Sequence, residues 1–143
     1  TSTMIRVISL VALLAVAVSA KLETVSAKGR LMCGDKPYAG AEIRLVDKTG
    51  WNTKMAKAKS DKNGYFEISG TNNHWIRDMD AKISIIHRCN NKAFGLIPKP
   101  CKRMSTASIP SSYVRPVGEK QKVYDMGTTN LEAKTKGEES KCL

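Results

Sequence analysis

Apolar runs are nearly absent from this sequence. Past the first 20 residues nothing approaches the roughly 20 consecutive apolar residues that a membrane-spanning helix needs, so no later segment is a candidate span. Helical periodicity is missing too, as are internal repeats and low-complexity segments, which argues against a helix bundle or a solenoid. Acidic residues are few, 13 against 24 Lys and Arg. Histidines number two, His74 and His87, and they fall in different segments. No nucleophile is followed by a recognisable base and orienter, so nothing marks a catalytic triad and no enzyme is expected. Cysteine pairs two to four residues apart, the usual zinc spacing, do not occur. His87 and Cys89 make one H-x-C pair with no second pair to complete a tetrahedral site. No metal and no cofactor are therefore expected. Cys142 is next to last, so it does not form a prenylation motif.

What is present begins with export. Met4 reads as an initiator, leaving Thr1, Ser2 and Thr3 ahead of it. Arg6 supplies a positive start, Val7 to Val18 is apolar except for Ser9, and Val18-Ser19-Ala20 offers small residues to a signal peptidase. This is the pattern of a secretory signal over residues 1–20, with cleavage expected before Lys21. The remaining 123 residues fit one domain. They keep 23 basic and 13 acidic side chains, a formal net charge of +10. Such a balance favours anionic partners, and secretion to the extracellular space makes nucleic acid the least suitable of them. Four cysteines, Cys33, Cys89, Cys101 and Cys142, in an exported small domain imply two disulfides.

Period-two alternation recurs along the rest. Val25, Ala27, Gly29, Leu31 and Cys33 share one face of a first strand. Gly34-Asp35-Lys36-Pro37 turns the chain, and Ala41, Ile43 and Leu45 define a second strand. Lys54 to Ser60 alternates weakly as a third. Asp61-Lys62-Asn63-Gly64 is a tight turn; as a calcium loop it would need a bidentate Glu near its twelfth position, which is Asn72. Phe66 and Ile68 follow on one face of a fourth strand. Ala81, Ile83, Ile85, His87 and Cys89 share a face of a central fifth, where His87 reads as a strand-end residue bonded inside the fold. Asn90 to Pro100 reads as a loop, Lys102 to Ile109 as a sixth strand and Val123 to Leu131 as a seventh. Seven short strands with turn signals between them predict an all-β antiparallel sandwich over residues 21–132, followed by a charged tail, 133–143, pinned by Cys142.

These segments resemble the transthyretin-like family of secreted nematode proteins. The residues that carry the resemblance are Lys28-Gly29-Arg30-Leu31-Met32-Cys33, Lys36-Pro37, Gly40-Ala41-Glu42-Ile43-Arg44-Leu45 and Ser60 to Gly70. Ile85-Ile86-His87-Arg88-Cys89, Pro100-Cys101-Lys102-Arg103, Ile109-Pro110 and Tyr124 to Leu131 complete it. The resemblance implies a transthyretin (prealbumin)-like sandwich, secretion and non-enzymatic action. With the strand neighbours of that fold it implies bridges Cys89–Cys101 and Cys33–Cys142. It also implies that the second, third, fifth and sixth strands share a sheet, so that Arg44, Lys57, Lys59, Lys82, Arg88 and Lys102 tend toward its outer face. Departures are Ser105 and Ala107, small where larger apolar residues are expected, and the unusual Asn72-Asn73-His74-Trp75 stretch.

A related enzyme of this fold hydrolyses 5-hydroxyisourate with histidines, an arginine and a C-terminal Tyr-Arg-Gly-Ser; this chain ends Ser140-Lys141-Cys142-Leu143 and lacks that tetrapeptide. The hormone channel of transthyretin is not carried over, because one strand fewer is expected at the edge that builds it. The functional expectation is a secreted binding or bridging protein that recognises an anionic phospholipid surface, such as phosphatidylserine, and a cell-surface receptor. Carriage of a small apolar ligand is the alternative and hydrolysis a remote second. Binding is expected to act by long-range attraction without insertion, since no exposed amphipathic helix or apolar hairpin is visible.

Overall fold

The structure, a computed structural model, describes residues 21–74 and 78–142. The expected signal segment, with its cleavage point, and Trp75 lie outside the described residues. Twelve strands run in the order β1 (Lys21–Cys33), β2 (Lys36–Pro37), β3 (Glu42–Asp47), β4 (Thr53–Lys59), β5 (Tyr65–His74) and β6 (Ala81–His87), then β7 (Lys92–Ala93), β8 (Ile97–Pro98), β9 (Lys102–Ser108), β10 (Arg115–Pro116), β11 (Val123–Asn130) and β12 (Glu139–Lys141). A 3₁₀ turn, Ser111–Tyr113, precedes β10. Seven of these strands have six or more residues, and they correspond to the seven segments expected from the sequence.

Two five-stranded sheets face one another. In the first, β1 is the spine and pairs with β5, β2, β10 and β11; in the second the order is β12-β9-β6-β3-β4. All pairings are antiparallel except β1 with β11, which is parallel. That pair departs from the antiparallel expectation. Parallel neighbours need a long crossover, and here the chain builds β3, β4, β6 and β9 of the second sheet before β11 returns beside β1.

The core follows from the period-two faces. Val25, Ala27 and Leu31 of β1 and Phe66 and Ile68 of β5 meet Ile43 and Leu45 of β3 and Ile83 and Ile85 of β6. Burying each large apolar side chain contributes about 1.5–3 kcal/mol. Gly70 lets the sheets close: a Cβ there would fall 2.8 Å from Met55 Cβ and 2.9 Å from a Leu45 methyl. The Asp61–Gly64 turn forms as expected. Asp61 Oδ1 accepts from the backbone N–H groups of Asn63 and Tyr65, both at 2.9 Å, and Gly64 takes φ +84°. The carboxylate is thus occupied in holding the turn. Of the inward-facing positions on β9 only Arg103 is buried, while Ser105 and Ala107 leave that strand thinly packed.

The disulfides correct the sequence-based pairing of Cys89 with Cys101 and Cys33 with Cys142. The bridges are Cys33–Cys89 and Cys101–Cys142. Cys33 ends β1 and the inward-facing Cys89 follows β6, so these two positions meet across the sandwich, Cα to Cα 5.8 Å. The tail does not run to β1. It turns back as β12 against the edge of β9 with Lys141 opposite Lys102, and the next step of that register sets Cys142 opposite Cys101 at 4.3 Å.

Candidate functional site

The second sheet places most of the expected basic residues on one face. Residues directly opposite one another in a ladder point to the same side. Glu42, Arg44 and Val46 of β3 alternate with the buried Ile43, Leu45 and Asp47, so they face out. Opposite them on β4 stand Lys59, Lys57 and Lys54, and on β6 Ile86, Ser84 and Lys82. Arg44, Lys57, Lys59 and Lys82 therefore share a surface, which Lys102 of β9 and Lys141 of β12 extend at the far edge. Lys54 and Lys141 belong to this surface although alternation in the sequence did not single them out. Lys54 was legible as part of the weak third strand; Lys141 was hidden in the tail.

Arg88, just past the end of β6, is exposed and stands off the ladder, but it joins the same surface at one end. There a cleft of about 240 Å³ gathers Arg44, Arg88, Lys102 and Lys141 around Glu42 and Ile86. Glu42 offsets part of this charge: Arg44 Nε donates to Oε1 at 2.6 Å and Lys57 Nζ lies 3.4 Å from it. The Arg44 hydrogen bond, opposed by partial burial and helped by the charges of Arg44 and Lys57, holds the Glu42 carboxyl below its ordinary pKa. Lys82 approaches Asp80 at 3.6 Å and donates to Ser108 Oγ at 2.7 Å. Among the described residues no ion pair engages Lys59, Arg88, Lys102 or Lys141.

Residues 90–100, read as a loop, contain a hairpin. β7 and β8 pair, Leu96 N–H donates to Ala93 O at 3.2 Å, and Phe94 and Gly95 take φ +55° and +70°. Its tip is apolar and open to solvent: Phe94 is 96%, Leu96 82% and Ile97 61% exposed. The expectation that no apolar hairpin is present is corrected here. The signal was available in Ala93-Phe94-Gly95-Leu96-Ile97, a short apolar run centred on a glycine, but the flanking prolines and lysines concealed it.

Two buried polar clusters also escaped the sequence reading. At one end of the sandwich Asp47 is 1% exposed and accepts from Thr49 N–H and Asn72 Nδ2, both at 2.9 Å. Its Oδ2 lies 2.7 Å from Nε2 of the buried His74. Burial pushes the Asp47 carboxyl up, but the Thr49 and Asn72 hydrogen bonds and the His74 charge outweigh it, leaving the pKa lowered. Both residues occupy inward positions of their strands, Asp47 after Ile43 and Leu45, His74 after Phe66, Ile68 and Gly70. Extending the alternation would have found them.

At the opposite end Arg103 lies buried. Nε and Nη2 donate to the two Glu138 carboxylate oxygens at 2.6 and 2.9 Å, and Nη1 donates to the carbonyls of Cys89 and Leu131 at 2.7 and 2.8 Å. His87, beside this cluster, is 2% exposed, and its Nδ1 accepts from Cys89 N–H at 3.1 Å. These contacts are structural ties; neither cluster presents an exposed nucleophile. On the outside of the first sheet an open groove of about 500 Å³ is lined by Lys28, Arg30, Glu67 and Asp125 among others, a polar surface.

Comparison with known proteins agrees with this architecture. The transthyretin-like family (TTR-52) matches residues 28–110. Transthyretin-like protein 5 of Caenorhabditis elegans is 34% identical over 124 residues, covering 85% of each chain. Transthyretin-like protein 33 of the same organism is 33% identical, covering 85% of this chain and 82% of its own. A solved structure of a 9R-lipoxygenase from Cyanothece aligns with 76% of this chain and 16% of its own, at TM-score 0.41 and 21% identity, too distant to bear on the fold or the site. The family match spans more than half of the chain, the relatives cover nearly all of it, and the two-sheet framework is common ground with the resemblance read from the sequence: this protein belongs to the transthyretin-like family.

Proposed function

We propose that the chain is an exported, non-enzymatic binding or bridging protein that engages anionic surfaces, such as phospholipid headgroups, through the outer face of its second sheet, leaving its loops for a cell-surface receptor. The observation that carries this reading is the clustering of Arg44, Lys57, Lys59, Lys82 and Lys102 on one ladder face, with Arg88 at its end. Two disulfides without a free cysteine among the described residues suit an oxidising compartment. A basic side chain near an anionic membrane contributes about 1 kcal/mol, so a few well-placed residues suffice for reversible attachment. The attraction is long-ranged and weakens as the Debye length falls from about 10 Å at 0.1 M salt to about 3 Å at 1 M. Carriage of a small apolar ligand is the rival reading; such a carrier would copurify with its cargo and bind vesicles without regard to salt.

Sedimentation with phosphatidylcholine vesicles, with and without phosphatidylserine, tests the proposal. Binding should require the anionic lipid and decline with salt. Lys57→Glu with Lys59→Glu should weaken it by about tenfold or more without unfolding the protein, because both side chains are exposed on β4. Equal binding to both vesicle types sinks the electrostatic reading.

A further inference from the structure

We infer that the β7–β8 hairpin is a membrane-inserting tip: Phe94, Leu96 and Ile97 enter the apolar boundary of an anionic bilayer while the basic residues at the hairpin base hold its headgroups. This rests on the anionic-surface reading and adds to it an apolar anchor of known position. Three of the eight large exposed hydrophobic side chains among the described residues lie within four consecutive positions of this one hairpin. Single exposed apolar residues are ordinary on a protein surface, but a contiguous exposed group marks an interaction site.

The surroundings select the occupant. Lys92 and Lys99 flank the apolar tip in sequence, and Arg88 Nη1 donates to Lys99 O at 3.1 Å, which fixes the cationic side chain at the base of the hairpin. Arg88, Lys102 and Lys141 line the neighbouring cleft. An apolar point with a cationic collar matches the layered chemistry of an anionic bilayer, apolar within and negative at the headgroups.

The base of the hairpin is also tied down. Asn91, 6% exposed, donates through Nδ2 to Cys101 O at 2.7 Å, and its own carbonyl accepts from Lys99 N–H at 3.1 Å. The hairpin base is therefore tied to the start of β9 and does not fold back over the apolar residues. Phe94 sits at a positive φ, a conformation unusual for a bulky residue, and the side chain so placed is almost wholly in solvent. The basic ladder face ends at the same end of the sheet, since Ile86 and Lys102 stand there, whereas the exposed Trp51 follows β3 at the opposite end.

Phe94→Ser with Leu96→Ser tests the inference, using the same vesicles. Thermal unfolding should be unchanged, because both side chains are exposed. Binding to phosphatidylserine vesicles should fall by about a hundredfold, the scale set by two large apolar side chains leaving water. Separately, Phe94→Trp should gain emission that lipids brominated near the headgroup end of their chains quench, while the parent protein, which has no tryptophan within residues 90–100, shows less quenching. Loss of anionic selectivity in the parent protein would overturn the surface reading and this inference together. Retained selectivity with unchanged binding of the serine variant and no extra quenching would overturn the insertion alone. A parent dimer that becomes monomeric in the serine variant, with vesicle binding intact, would instead assign the tip to contact between copies of this chain and overturn insertion.

Discussion

His87 is held neutral inside the protein. Its Nδ1 accepts from Cys89 N–H, which leaves the ring proton on Nε2, where no partner among the described residues meets it. Burial, reinforced by the Arg103 charge and only partly countered by Glu138, lowers its pKa from the usual 6.5 to about 4. The unfolded chain therefore binds a proton between these values that the folded chain does not, and stability falls as pH drops through that window, by about 3 kcal/mol in all. Toward its lower end and beyond, the lowered carboxyls of Glu42, Asp47 and Glu138 act in the same direction, since their contribution is present above the unfolded pKa and is lost as they protonate. Urea midpoints of wild type should decline from pH 6.5 to pH 4. In His87→Phe that decline should flatten while the loss at lower pH remains. An unchanged slope in the variant would show that the ring is not the source.

At the scale of single elements, β12 turns a charged tail into an edge strand. Three residues pair with β9, Cys142 bridges to Cys101, and Arg103 grips Glu138. The Arg103 hydrogen bonds, Glu138's own bond from Thr135 and the Arg103 charge keep the Glu138 carboxyl ionised against its partial burial. Replacing Cys101 and Cys142 by Ala should free the tail: amides of Glu139–Lys141 should lose hydrogen-exchange protection while those of β3 and β6 keep theirs. Equal protection in both proteins would show that the ion pair and the ladder suffice alone. Of the seven long strands β1, β3, β5 and β6 were legible because apolar residues alternate on them, β4 alternates weakly, and β9 and β11 were read from the loops and turns around them. β12 was not, because Glu139-Ser140-Lys141 carries no apolar residue and owes its strand state to the β9 edge and a distant cysteine. The same limit explains the disulfide error. Local alternation orients Cys33 and Cys89 inward but does not say that the ends of β1 and β6 stand across from one another. The basic face was legible in outline, since Arg44, Lys57, Lys59 and Lys82 each alternate with small or apolar neighbours. Its joining with an apolar hairpin was not, because nothing local in residues 88–102 records how that segment folds back on its own base.

For the whole molecule the bridge that matters most is Cys33–Cys89, which ties the first sheet to the second. It closes a span of 56 residues, a loop worth about 4 kcal/mol in the chain-entropy model. Cys89 is also buried, so its replacement opens space in the core as well. Replacing Cys33 and Cys89 by Ala should lower the unfolding free energy by about 4 kcal/mol or more, and peptide mapping of the unreduced protein should recover Cys33 joined to Cys89. Recovery of Cys33 joined to Cys142 would return the pairing to the sequence-based expectation.

The hairpin begins and ends within this framework in an unusual way. Cys89 and Cys101 bound residues 90–100, and each belongs to a different bridge, one running to β1 and the other to β12. Both ends of the segment are thus clamped independently of what lies between them, and its outermost side chains add nothing to the core. The segment behaves as a cartridge in a fixed holder: the exposed side chains of its tip are exchangeable at little thermodynamic expense, and a chain built this way can change what that tip presents without renegotiating how it folds.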